Sequence, residues 1–366
     1  MSPSSTHLFV DISSHGFGHL AQVAPVLNEL IKELPDLRLT IRCGLPAEKL
    51  HARISCDFTH IHGRSDFGFV MHDAVSIDFA ATAHAYRDAH ANWAQRVAEE
   101  AQQLKALSPD LVLTDVAYLP LAGAAQAGIP ALSMCSLNWA DLFAHFYIHE
   151  PWAKSIHTEI LAAYQSAELF LRLTPAMPMP ALPRQRTVAP VAALGHDRRD
   201  ELRAKLGCPP DEKLVLIAFG GFDKDLGAEN WPQHQGIRWL IPQSWPIART
   251  DMTPMEPLGM PIIDLMRSID AILTKPGYGT FSEAACNGTP VLYLRRDNWP
   301  EQDCLIDWLQ NNVRCAEISD VKLKGGDFQA ALTALWQKPA PPTPRPDGAA
   351  ETASIIAERL SAARIG

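Results

Sequence analysis

The chain has 366 residues, 47% hydrophobic, with a formal net charge of -9 and seven cysteines. That length suits two domains, the apolar content excludes a disordered chain, and the acidic balance excludes a general nucleic-acid phosphate binder. No run of 18 apolar residues is present, the first residues lack the basic-then-apolar pattern of a signal peptide, and the scattered cysteines form no CxxC pair. The expectation is therefore a reduced, cytoplasmic protein with no transmembrane segment.

In chain order, His7–Ile12 reads as a buried strand. It runs into Ser13-Ser-His15-Gly-Phe-Gly18-His19 and then a helix whose apolar residues Leu20, Val23, Leu27, Leu30 and Leu34 recur at helical spacing. Leu37–Arg42 is a second strand, Ile77–Leu107 mainly one long helix, and Asp110–Asp115 a strand ending in a carboxylate. Leu119–Ala127 is helical, Ile129–Ser133 is a strand, and Trp139–Tyr164 is aromatic and helical. Strands alternating with helices predict a doubly wound parallel sheet.

The proline-dense Thr174–Pro190 reads as a linker. Beyond it come a short helix at Asp200–Leu206, the apolar strand Leu214–Phe219 with Gly220-Gly221, and a stretch 222–257 without a clear period. Pro261–Ser268 reads as a short helix and Ala271–Leu273 as a strand. Pro276-Gly277-Tyr-Gly279 then breaks the chain before a helix. Thr280 or Ser282 is expected to cap that helix, with Glu283 in its first turn, and Asn287-Gly288 to end it. Pro290–Leu294 is a strand, Arg295–Gln302 a polar loop, Cys304–Asn311 a helix, Lys338–Asp347 a second proline break, and Ala349–Ala363 a last amphipathic helix. The resulting domains are 1–185 and 186–347, with helix 348–364 packing back on the first.

Three places carry candidate chemistry. His19 sits at a strand-to-helix turn, directly after Gly16-Phe-Gly18. At the carboxyl edge of a parallel sheet its imidazole could deprotonate a hydroxyl, with Asp115 as the orienting partner. His15, Gly18 and Trp139 are candidates beside it. Gly220 and Gly221 could leave amides free for phosphate. The turn at Gly277, Gly279 and Thr280 opens a helix, whose N-terminus suits phosphate, while Glu283 could accept from ribose hydroxyls. Arg295 or Arg296 could meet phosphate charge, and Asp297, Asn298, Glu301 and Gln302 sugar hydroxyls. No metal-ligand spacing, Walker loop, GxSxG elbow or dinucleotide fingerprint occurs, so no cofactor or metal is expected.

GFGH after the first strand, AFGG after the first strand of the second half, and KPGYGTFSEA followed by RRDNWPEQ together resemble the GT-B-fold glycosyltransferases. The peptidoglycan N-acetylglucosaminyltransferases are the best-known relatives of this style. The likeness is closer still to the N-terminal, glycosyltransferase-like half of plant L-arabinokinase, extending through PDLVLTD, LNWADLFAHFY, ELFLRLTPAMPMPA and LVLIAFGG. The resemblance implies two facing Rossmann-like doubly wound domains with a cleft between them. It implies a metal-independent transferase that moves a sugar from a nucleotide diphosphate, uridine by default, to a small-molecule or lipid-linked hydroxyl. In that reading His19 is the acceptor base and Asp115 its partner, Gly220, Gly221, Gly279 and Thr280 bind the diphosphate, Glu283 binds ribose, and Glu301 with Gln302 holds the sugar. Phe222 departs from the serine or threonine usual after the double glycine. The chain has no kinase phosphate loop. The alternatives are a non-catalytic nucleotide-sugar-binding module and a nucleotide-sugar epimerase or hydrolase on the same fold.

Overall fold

The computed structural model describes residues 6–73, 76–219, 226–296 and 298–363. The chain divides into two compact units: 1–72, 77–191 and 346–366 in the first, 192–345 with the short stretch 73–76 in the second.

The first unit is built on seven parallel strands: β1 (His7–Ile12), β2 (Arg38–Cys43), β3 (Thr59–His62), β4 (Leu111–Asp115), β5 (Ala131–Cys135), β6 (Leu169–Thr174) and β7 (Gln185–Pro190). Their order is β3-β2-β1-β4-β5-β6-β7. β1, β4 and β5 are buried along their whole length, as strands covered by helices on both faces must be. The chain lays β2 and β3 to one side of β1 and then crosses to β4 on the other. Open α/β sheets bind ligands at that reversal, beyond the carboxyl ends of the strands.

The linker 174–190 is shorter than its prolines suggest. Gln185–Pro190 forms a ladder with β6, so the division falls after Val191 rather than after 185. The helix expected over Ile77–Leu107 is two, Phe79–Ala91 and Trp93–Leu107, with Asn92 at the break. Trp139–Tyr164 likewise resolves into Trp139–Tyr147 and Ala153–Ser166. The terminal helix Gly348–Ala363 packs against helix Phe17–Glu33. There Ala353, Ile356 and Leu360 are buried, as are Val23, Leu27 and Leu30 of the other helix.

The second unit holds six parallel strands: β8 (Lys213–Ala218), β9 (Ile237–Ile241), β10 (Met252–Pro254), β11 (Ala271–Thr274), β12 (Val291–Leu294) and β13 (Cys315–Ile318). Their order is β10-β9-β8-β11-β12-β13, so the reversal lies between β8 and β11. The stretch 222–257, unreadable by period, supplies the edge strands β9 and β10 and an aromatic plug. Trp239 is fully buried between Trp231 and Phe328, whose ring centres lie 5.4 and 5.2 Å away. Edge-to-face aromatic packing and the strand propensity of Ile237–Ile241 act together there. Among the described residues no helix is long and apolar enough to cross a membrane.

A Cβ at Gly348 would stand 1.9 Å from the Ala189 carbonyl oxygen. Gly348→Ala should push the terminal helix off β7 and cost about 1–3 kcal/mol, seen as a lower midpoint in urea unfolding.

Candidate functional site

In the first unit, parallel register places Ile12 opposite Asp115, and the Ser13 amide donates to the Asp115 carbonyl at 2.7 Å. Two residues that leave adjacent strand ends are thereby brought together. Gly16, at φ 101°, starts helix Phe17–Glu33 with no side-chain cap, and His19 lies in its first turn. His19 Nδ1 is 3.0 Å from Asp115 Oδ1. Asp115 is fully buried and His19 nearly so. A carboxylate on Nδ1 holds the proton there and leaves Nε2 as the acceptor nitrogen. A Cβ at Gly18 would meet nothing within 4 Å, so packing does not require a glycine there.

Asp66 was missed by sequence reasoning because it sits on an aperiodic loop. Its carboxylate accepts from Ser13 Oγ at 3.0 Å and from Trp139 Nε1 at 2.8 Å. Burial, then the neighbouring Asp11, pushes it up to about 6, while Trp139, His19 and Ser13 pull the other way. Asp11 is itself held by Arg42 and by Ser65 Oγ, and Arg42 also pairs with Glu100.

Trp139 is fully buried, its ring 5.4 Å from that of His15 and 6.0 Å from that of His19. It therefore supports these two histidines from beneath and does not line an open surface, as an acceptor-side residue would. His15 Nε2 lies 3.0 Å from the Phe69 carbonyl, and Gly68, at φ 60°, leaves no room for a Cβ against the His15 and Trp139 rings. Cys135 Sγ is 4.0 Å from His19 Nδ1. The ligand atoms of His19, Asp115 and Cys135 lie within 4.8 Å of one another, so a soft divalent ion could be held there, at the expense of the Asp115 bond to Nδ1.

In the second unit, Gly220, Gly221 and Asp297 lie outside the described residues. The helix after β11 runs Tyr278–Asn287 from Gly277, with no side-chain cap. Thr280 and Ser282 are thus inside the helix and cannot cap it, and Glu283 falls in its second turn. The sequence placed the start too late because Tyr278 and Gly279 continue the helix across the glycine turn. The Gly279 and Thr280 amides find no acceptor among the described residues, as the first amides of an uncapped helix do not. Glu283 is buried on this helix.

The expected polar loop is also shorter, since helix Glu301–Asn312 already includes Glu301 and Gln302. The Gln302 amide is engaged at both ends within the chain. Its Oε1 accepts from the Arg296 amide at 2.9 Å and its Nε2 donates to the Arg296 carbonyl at 3.0 Å. Glu301 Oε2 accepts from Trp299 Nε1 at 3.0 Å. Of the two arginines, Arg295 is taken by Asp303 and Glu317, whereas Arg296 is buried with its guanidinium 3.8 Å over the Trp299 ring.

No protein-family model matches the chain. It is 28% identical over 325 residues to the L-arabinokinase of Arabidopsis thaliana, across 85% of this chain and 30% of that protein. The chain thus spans about a third of that relative's length. Among solved structures it is similar to the calicheamicin glycosyltransferase CalG4, at 14% identity and a TM-score of 0.61, covering 99% of this chain and 95% of that one. A UDP-glucosyltransferase from Polygonum tinctorium capable of glucosylating indoxyl matches at 13% identity and a TM-score of 0.61, covering 99% and 100%.

The elevated Asp66 value gives a measurable signature. An aspartate whose folded value lies above its unfolded one favours the fold most below about pH 4 and loses that contribution as the pH rises through about 6. Asp66→Asn should flatten that part of the stability curve, and Trp139→Phe, which removes a donor to the carboxylate, should move the Asp66 carboxyl midpoint upward in an NMR titration. Two parallel α/β units with these neighbours give the chain the GT-B fold of the glycosyltransferases.

Proposed function

We propose that the chain is a nucleotide-diphosphate-sugar-dependent glycosyltransferase, with the donor on the second unit and the acceptor hydroxyl on the first. The observation that carries this reading is the His19–Asp115 pair at the strand reversal of the first sheet. The GT-B neighbours support it, one of them a UDP-glucosyltransferase.

In this reading His19 Nε2 takes the proton from the acceptor hydroxyl as its oxygen attacks the anomeric carbon. The bond from that carbon to the diphosphate breaks, and the diphosphate leaves with the bonding electrons. Asp115 stabilises the imidazolium that forms, as a buried carboxylate on Nδ1 does. The Gly279 and Thr280 amides and the positive end of helix Tyr278–Asn287 stabilise the leaving diphosphate. Glu283 receives the ribose. The reaction needs no metal, since the amides and positive end of that helix carry the leaving charge. The donor is a uridine nucleotide, and the acceptor a small-molecule or lipid-linked hydroxyl.

Calorimetric titration with UDP and a panel of UDP-sugars, followed by product analysis, tests this. Glu283→Ala should weaken UDP binding. His19→Ala should lower kcat by about 10²–10⁴ with donor affinity unchanged, the range for a lost general base, and Asp115→Asn should act in the same direction. Activity should survive a chelator. Full transfer by His19→Ala would remove the assigned base. Isomerised or free sugar without an acceptor would mark an epimerase or hydrolase, and tight donor binding without turnover a binding module.

A further inference from the structure

Lys275 directly follows β11, and Arg296 stands two residues past the end of β12, its neighbour in the sheet. Both therefore leave the same carboxyl edge, beside the Gly277–Thr280 turn. Neither forms an ion pair with a carboxylate among the described residues. Arg296 is 7% exposed, and its Nε is buried with no acceptor. Lys275 is partly buried. The charged groups within electrostatic reach are each other, Glu301, which acts on both, and Asp73, which acts on Arg296. Desolvation and then the charge of Arg296 draw Lys275 down to about 7, and desolvation draws Arg296 down to about 10.

The buried Arg296 guanidinium with its unpartnered Nε destabilises the empty fold, because its desolvation is not offset by a bonded counter-charge, and the partly buried Lys275 adds like-charge repulsion whenever it is protonated. The diphosphate already has the helix amides of the proposed donor site. The residues that the reading above gives to the sugar are Glu301 and Gln302, and both are already partly engaged, the Gln302 amide by the Arg296 backbone and Glu301 by Trp299. The cation at that position with no bonded carboxylate among the described residues is a guanidinium, whose planar fork matches a carboxylate. The hydroxyls of a neutral hexose could accept from it but bring no counter-charge.

We infer that Lys275 and Arg296 form a second anion subsite, which takes the carboxylate of a uronic acid, so that the donor is a nucleotide-diphosphate uronate. This rests on the donor site proposed above. It adds the class of the sugar and assigns Lys275 as a specificity-determining residue.

The test is calorimetric titration of the full chain and of Lys275→Met with UDP, UDP-glucose and UDP-glucuronate, with melting temperatures of the free proteins as the folding control. Wild type should bind UDP-glucuronate at least ~10-fold more tightly than UDP-glucose, the scale of one charge-assisted hydrogen bond. Lys275→Met should lose most of that preference, keep its UDP affinity, and melt at or above the wild-type temperature, since an unpaired cation has gone. Arg296→Lys keeps the charge without the fork and should retain part of the preference. Equal binding of the two sugars by wild type overturns the inference while leaving the donor site standing. So does an equal loss of UDP affinity in Lys275→Met, which would give both cations to the diphosphate. Absence of binding by all three ligands removes the donor site itself, and the inference with it.

Discussion

The parallel pairing of β1 with β4 is the constraint on which the first unit's site depends. Because Ile12 stands opposite Asp115, the carboxylate ends its strand where the next strand's turn begins. The glycine-rich turn then needs only one helical turn to bring His19 Nδ1 within 3.0 Å of it. A slip by one residue would turn the Asp115 side chain to the other face of the sheet and abolish the pair. The ladder bonds that set the register also bury Asp115 completely, and burial is what makes a carboxylate an effective orienting group.

Beneath this pair lies a layer of buried charge. Arg42 joins Asp11 and Glu100, Asp11 holds Ser65, and Asp66 is tied to Ser13 and Trp139. Each charged member has a hydrogen-bonding partner, which is the condition under which buried polar networks hold a geometry instead of relaxing it. The same layer pulls Trp139 inward. A residue that the sequence offers as an acceptor-side candidate is buried against two histidine rings.

The second unit manages charge in the opposite way. Asp270 is surrounded by Arg199, Arg203 and Lys213 at one edge of the sheet, a paired and self-contained cluster. At the carboxyl edge, Lys275 and Arg296 form no such pairs among the described residues, and the helix after β11 opens without a side-chain cap. Unmet polar groups at that edge, with met ones at the other, are what the proposed donor would satisfy.

Much of this was legible in the chain itself. The apolar runs of β1, β4, β8 and β11, bounded by glycine turns and alternating with periodic helices, determine parallel α/β units, because only strands covered on both faces are apolar throughout. The GFGH turn and the carboxylate ending LVLTD marked His19 and Asp115. Tertiary structure decided the rest. The aperiodic stretch around Trp239 became strands through aromatic packing against Phe328. Gln185–Pro190 became a strand because β6 offered a free edge. Asp66 joined the site across 53 residues of chain through Ser13. Gln302 spent its amide on a backbone it could not have been known to meet, and Lys275, one lysine before a proline, acquired meaning only when β11 and β12 set it beside Arg296. Local pattern specifies which segments are strands and helices, whereas partners distant in sequence decide which polar groups are satisfied and which are left for a ligand.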